Sequence, residues 1–256
     1  MSGARRLAGP AAAITGAGGP MGRAVAGRLL ADGATHLVLT DISGARLAET
    51  VESLTASFPQ ARIDSLRGDV TVAAEARAFA GLALGRGGVD ILVNMVGGIR
   101  SSRLYTPFLD MSEEQWRATF DLNLTGNFHL IRALAPGMLE RGRGRIVNIA
   151  TVVFGGEAGQ ADYAAAKAAT ASLTRSLAAE FAPHVTVNAV APGLTRTSVT
   201  RNMREEEAAR LLALAFNRRM AEPEEIAEAV AFFASEPARF ITGEILAVSG
   251  GIHPHL

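Results

Sequence analysis

Short runs of apolar, often β-branched residues alternate along the chain with longer stretches whose apolar positions recur every three to four residues. "AAAITG" (11–16) predicts a first strand, and "GRAVAGRLLADG" after it predicts a helix stopped at Asp32-Gly33. "HLVLTD" (36–41) precedes the helical "SGARLAETVESLTASF", and "RIDSLRGDV" (62–70) precedes "TVAAEARAFAGLALGR". Further strands are predicted at 89–98, 144–151, 185–193 and 244–251, with a long helix over 113–140 and an Ala-rich helix over 160–181. Apolar strands that alternate with helices predict a parallel sheet covered on both faces, that is, a doubly wound α/β fold of seven strands. No repeat, low-complexity tract or linker divides residues 1–256, so a single domain is expected. The Arg/Glu-rich stretch 196–225 breaks the rhythm and reads either as a substrate lid or as a solvated pair of amphipathic helices.

Composition narrows the partners. Acidic and basic residues balance at 25 each and the arginines are scattered, which argues against nucleic acid or a membrane surface and for a small molecule. No cysteine is present, so disulfides and thiolate metal sites are excluded and a reducing, cytoplasmic setting is expected. Arg5-Arg6 followed by small apolar residues resembles a secretion signal, but Pro and Gly interrupt its apolar core. His253 and His255 lack a supporting ligand cluster, and no metal is expected.

Candidate chemistry begins at "ITGAGGPMGRAVA". Gly16, Gly18, Gly19 and Gly22, with Met21, lie between a strand and a helix, where backbone N–H groups and the helix's positive end can hold a pyrophosphate. The spacing differs from G-x-G-x-x-G, and any tight strand-to-helix turn favours glycine. Asp41 ends the second strand, placed to accept hydrogen bonds from adenosine ribose hydroxyls and to repel a 2′-phosphate. It favours NAD over NADP, with Arg46 and Arg23 close enough in sequence to weaken that preference. Asp69 and Val70, after the third strand, can flank the adenine; turn chemistry explains an Asp there nearly as well.

The second signal is "YAAAK". The chain holds 24 arginines and one lysine, and that Lys167 stands four residues after Tyr163, one of two tyrosines. Chance placement would produce this about once in 130 trials. Residues four apart share a helix face. A tyrosine needs a nearby cation to work as acid or base near neutrality, and a compact ammonium suits that task better than a planar guanidinium.

With these motifs the chain resembles the short-chain dehydrogenase/reductase family over essentially its whole length. The matching stretches are "TGAGGPMG" (15–22), Asp41, "GDV" (68–70), "VNMVG" (93–97), "DLNLTGNF" (121–128), "GRIVNIAT" (144–151), "YAAAK" (163–167), "VNAVAPGLTRT" (187–197) and "ITGEILAVSGG" (241–251). The resemblance implies a Rossmann-type oxidoreductase moving a hydride between a nicotinamide cofactor and a secondary alcohol or ketone. Tyr163 would be the general acid/base, Lys167 would bind the nicotinamide ribose and lower the phenol's pKa, and Asn123 would continue a proton relay. Asn94 and Gly97 would support the cofactor wall. Pro192, Gly193, Thr195 and Thr197 would hold the carboxamide and phosphate. The family commonly forms tetramers through the long helix and the helix that carries Tyr163, so a homo-oligomer is expected.

Three departures stand out. Thr151 replaces the family's substrate-orienting serine, keeping the hydroxyl but adding a stiff methyl. Pro20 removes one N–H donor from the cradle while suiting the first helical turn. Met95 replaces a second asparagine and reads as core packing. Gly98, Ile99, Val153, Phe154 and the segment after Thr197 are expected to shape an apolar pocket, and Arg100 and Arg103 either recognise an anionic tail or are solvated. An NAD-linked alcohol or ketone oxidoreductase is the leading expectation. The alternatives are an NADPH-dependent 3-oxoacyl thioester reductase and a catalytically weak, dinucleotide-binding regulator.

Overall fold

The computed structural model describes residues 7, 9–99, 103–201 and 203–252. Arg5-Arg6, Arg100, His253 and His255 lie outside them. The strands are β1 (Ala11–Thr15), β2 (His36–Asp41), β3 (Arg62–Arg67), β4 (Ile91–Asn94), β5 (Gly144–Ile149), β6 (Val185–Pro192) and β7 (Ile245–Val248). They form one sheet in the order β3-β2-β1-β4-β5-β6-β7, and every pairing is parallel. The fold class expected from the alternation is therefore the observed one. The chain winds from β1 outward to β3, then crosses back to place β4 on the other side of β1. That reversal leaves a crevice at the strands' carboxyl ends, where ligands bind in open α/β sheets.

Helices α1 (Pro20–Asp32), α2 (Gly44–Ser57), α3 (Ala73–Leu84), α4 (Glu113–Phe120), α5 (Gly126–Glu140), α6 (Ala161–Phe181), α7 (Ser198–Arg201), α8 (Glu205–Leu214) and α9 (Pro223–Ala234) complete the architecture. On one face Val25, Leu29, Leu47, Leu54, Ile226 and Val230 pack against Ile14, Leu37, Leu39 and Val93. On the other, Phe79, Leu130, Leu134 and Met138 pack against Ala13, Val38, Leu92 and Ile146. Strand residues that alternate between these two clusters explain why the central strands read as unbroken apolar runs. The edge strands β3 and β7 are partly exposed. No helix among the described residues is long and apolar enough to cross a membrane.

The structure departs from the expected elements twice. The single helix predicted over 113–140 is two helices joined by a π turn, Asp121–Thr125. Apolar periodicity is nearly the same on both sides of one widened turn, so the pattern hides it. Second, α9 extends from Pro223 to Ala234, beyond the charged stretch, where no element was assigned. Its start is encoded by Pro223 in the first turn and by a capping box between Glu222 and Glu225. Those acids look like the end of the charge run, although Ile226, Ala227, Val230 and Phe233 beyond them are buried.

Phe79 is fully buried at the centre of the second cluster. Phe79→Ala is expected to lower unfolding stability by about 3–5 kcal/mol, read as a reduced denaturation midpoint at unchanged m-value.

Candidate active site

The cradle forms because β1 turns sharply into α1. A Cβ on Gly22 would stand 2.2 Å from the Gly16 carbonyl oxygen and 2.8 Å from the Ala17 Cα, so only glycine allows the turn and helix to meet. No side chain caps α1, and Pro20 occupies its opening. The first-turn N–H groups of Met21 and Gly22 consequently have no intrahelical acceptor, as an anion site at a positive helix end requires. Asp41 is buried beside this turn. Its Oδ2 accepts from the Gly18 N–H at 3.0 Å, and its Oδ1 from the Ser43 N–H at 2.8 Å and Arg46 Nη2 at 3.1 Å. These residues fit a dinucleotide, with Asp41 at the ribose end and Arg46 offsetting part of its charge.

Asp69 behaves as a turn acid, its Oδ1 accepting from both the N–H and the hydroxyl of Thr71. Val70 is buried, and its Cγ2 would lie 2.7 Å from a Cβ on Gly126. Asn94 donates to Asn148, which donates to Thr174, while Asn94 Oδ1 is buried without a partner. Asn94 itself does not line the cleft described below. Met95 joins the core as expected, and its N–H and that of Val96 donate to Thr15 Oγ1, a support that the sequence reading did not identify.

Tyr163 and Lys167 extend from the first turns of α6 toward Thr151, at the end of β5. Lys167 is buried and donates to the Ile149 carbonyl at 2.7 Å, with its ammonium 5.9 Å from the Tyr163 ring centroid. Asn123 sits inside the π turn. Its amide donates to the Gly98 and Thr119 carbonyls and its Oδ1 accepts the Gly98 N–H, so the side chain is fully engaged in holding the loop after β4. A Cβ on Gly97 would fall 2.6 Å from Lys167 Nζ and 2.7 Å from Asn123 Oδ1. Glycine is required where these groups crowd that loop.

Burial governs the electrostatics. It pushes the Tyr163 phenol up to about 12, opposed by a hydrogen bond with Thr151, and drops Lys167 to about 7. The lowered phenol pKa expected from the resemblance is thus reversed in the protein alone, because desolvation of the phenolate outweighs other influences.

The cleft of about 730 Å³ brings together Met21, Gly97, Thr151, Tyr163, Lys167, Pro192, Gly193, Thr195 and Thr197. Gly98, Ile99 and Val153 line it as expected, but Phe154 turns into the core with Ala150 and Ala171. Nor is the pocket uniformly apolar: Glu157, Arg204 and Glu207 reach it. Arg103 is exposed. Gln160 was also missed; its amide ties the Leu104 carbonyl to the segment before Tyr163.

The depressed pKa of Lys167 has a measurable sign. Its burial penalty is complete below about pH 7 and is relieved as pH rises from there toward the ordinary 10.5. Lys167→Met is expected to raise the melting temperature near pH 6.5, with the gain shrinking by about pH 9 in paired thermal melts.

A family model described as enoyl-(acyl carrier protein) reductase matches residues 16–253. The 3-oxoacyl-[acyl-carrier-protein] reductase FabG of Vibrio harveyi is 36% identical over 256 residues, covering 96% of this chain and 98% of that protein. The short-chain reductase protein NovJ of Streptomyces niveus is 38% identical over 252 residues, covering 94% and 92%. The solved structure of a 3-oxoacyl-[acyl-carrier protein] reductase from Brucella melitensis superimposes with a TM-score of 0.88 at 30% identity, over 99% of this chain and 94% of that one. With matches along nearly its entire length, and Tyr163 and Lys167 together at the sheet's crevice, this chain belongs to the short-chain dehydrogenase/reductase family of nicotinamide-dependent oxidoreductases acting on CH–OH and keto groups.

Proposed function

We propose that this protein reduces the keto group of 3-oxoacyl thioesters. The observation that carries the reading is the gathering of Thr151, Tyr163 and Lys167 around one cleft, where the phenol of Tyr163 can give its proton to a substrate oxygen. The relatives named 3-oxoacyl-[acyl-carrier-protein] reductase support the same direction and substrate class.

Thr151 and Tyr163 donate hydrogen bonds to the keto oxygen, and Tyr163 passes its proton to that oxygen as negative charge develops. A bound dihydronicotinamide supplies the hydride. Lys167 would hold the nicotinamide ribose and, when charged, would stabilise the phenolate left behind. Asn123 keeps the Gly97-Gly98 loop in place. Pro192, Gly193, Thr195 and Thr197 would hold the nicotinamide end, with Gly97 beside it and Asn94 buried behind. Asp41 favours NADH by opposing a 2′-phosphate. An NAD-linked oxidoreductase of simple secondary alcohols and ketones is the second reading, favoured by the same Asp41.

Of the two readings of the stretch 196–225, a lid or a solvated pair of helices, we favour the lid. No residue of α8 is buried, yet Leu211 and Leu214 line the cleft. Arg210 ties α8 to Tyr105 and Glu157 on the opposite wall. A helix held by a few polar contacts opens at low cost. On the back of the molecule, Phe128, Ile131, Leu139, Leu173, Leu177 and Phe181 line an apolar groove between α5 and α6. Phe128 is 52% exposed, and such an apolar face supports association between copies of this chain, which we read as a homotetramer.

A 3-oxoacyl thioester of N-acetylcysteamine is expected to oxidise NADH faster than NADPH, followed at the dihydronicotinamide absorbance. Tyr163→Phe is expected to reduce kcat by about 10²-fold or more, and Thr151→Val by about tenfold. Parental rates in either variant would remove that residue from the mechanism. Asp41→Asn is expected to tighten NADPH binding in a fluorescence titration, independently of turnover. Sedimentation should give four chains per particle, and Leu177→Arg should break that assembly; a monomer at micromolar concentration would overturn the tetramer.

A further inference from the structure

Asp162, next in the chain to Tyr163, is a carboxylate only 2% exposed. Three neutral groups donate to it: the Thr119 hydroxyl at 2.8 Å and Gln115 Nε2 at 3.2 Å to Oδ2, and the Tyr163 N–H at 2.8 Å to Oδ1. Burying a carboxylate is costly unless its lone pairs are filled, and here α4 and the start of α6 fill them jointly. Its place in the first turn of α6 adds a favourable interaction with the helix's positive end.

The bonds continue beyond the aspartate. Thr119, fully buried, accepts the Asn123 amide at its own carbonyl, and Asn123 grips Gly98 from both sides. One polar chain therefore runs from the backbone of Tyr163 through Asp162 and Thr119 to Asn123 and the loop that abuts Lys167. Resting on the reading of Tyr163 as proton donor, we infer that Asp162 is a positioning residue. Its carboxylate, clamped by Thr119 and Gln115, sets the start of α6, and hence Tyr163, against the π turn and the loop after β4.

Three substitutions test this. Asp162→Ala removes both acceptors, Thr119→Val removes one donor without touching α6, and Asp162→Asn keeps an acceptor for Tyr163 and an amide able to bond Thr119. Small displacements of a reacting group cost large factors in rate, so Asp162→Ala is expected to lose about tenfold to a hundredfold in kcat with the KM for NADH little changed. Thr119→Val should lose several-fold, the double variant should be no worse than Asp162→Ala alone, and Asp162→Asn should recover most of the rate.

The second readout needs no turnover. With only two tyrosines in the chain, a Tyr105→Phe background leaves Tyr163 as the sole phenol. Its phenolate absorbance is expected to appear at lower pH in Asp162→Ala and Thr119→Val than in the parent background, because a loosened ring is better solvated. If Asp162→Ala does not fold, Thr119→Val carries both measurements. Lowered melting temperature with unchanged kcat and unchanged phenol titration would reduce Asp162 to a structural residue and overturn the inference. Absence of turnover in the parent enzyme would defeat the proposed reaction, while the titration would still decide the placement of Tyr163.

Discussion

The site is organised by one unfavourable fact, a lysine ammonium placed where water does not reach. Lys167 is 2% exposed and its nearest strong acceptor is a backbone carbonyl at the end of β5. Desolvation alone lowers it to about 7, so keeping it charged costs folding stability. The rest of the crevice follows from where that ammonium must go. Gly97 clears space for it, the π turn brings Asn123 to the same loop, and Thr151, two residues beyond β5, hydrogen-bonds the phenol.

The scaffold meets this demand with rigidity on one side and looseness on the other. Six of the helices clamp the sheet through two apolar clusters, and buried polar chains run from Asn94 through Asn148 to Thr174 and from Tyr163 to Gly98. Opposite them α8 buries no residue and is held through Arg210. Rigid polar chains facing a weakly held helix are what the proposed reading, an enzyme that excludes water and still exchanges ligands, requires.

Much of this was legible in the residues. Seven apolar runs alternating with helical periodicity are sufficient for a parallel, doubly wound sheet, because strands covered on both faces leave no polar alternation. The glycine turn, Asp41 and the Tyr163–Lys167 spacing could be read because each depends on local geometry: a sharp turn, a strand end, one helix face. Features set by crowding between distant segments were not legible. Phe154 could face pocket or core by its type alone, and Glu157, Arg204 and Glu207 reach the cleft only through the path of α8 and the loop before α6.

By itself, then, the sequence determined the fold class and which helix carries the tyrosine and lysine, since these follow from short-range periodicity and spacing, while its ordered motifs carried the resemblance to the family. Tertiary structure decided how the groups are poised. It inserted a π turn into an apparently continuous helix, spent the Asn123 side chain on a loop, enlisted Asp162, and reversed the expected shift of Tyr163. The physical reason is common to all four. Burial and hydrogen-bond partnership depend on which segments meet in space, and a residue's type and neighbours in the chain do not carry that information.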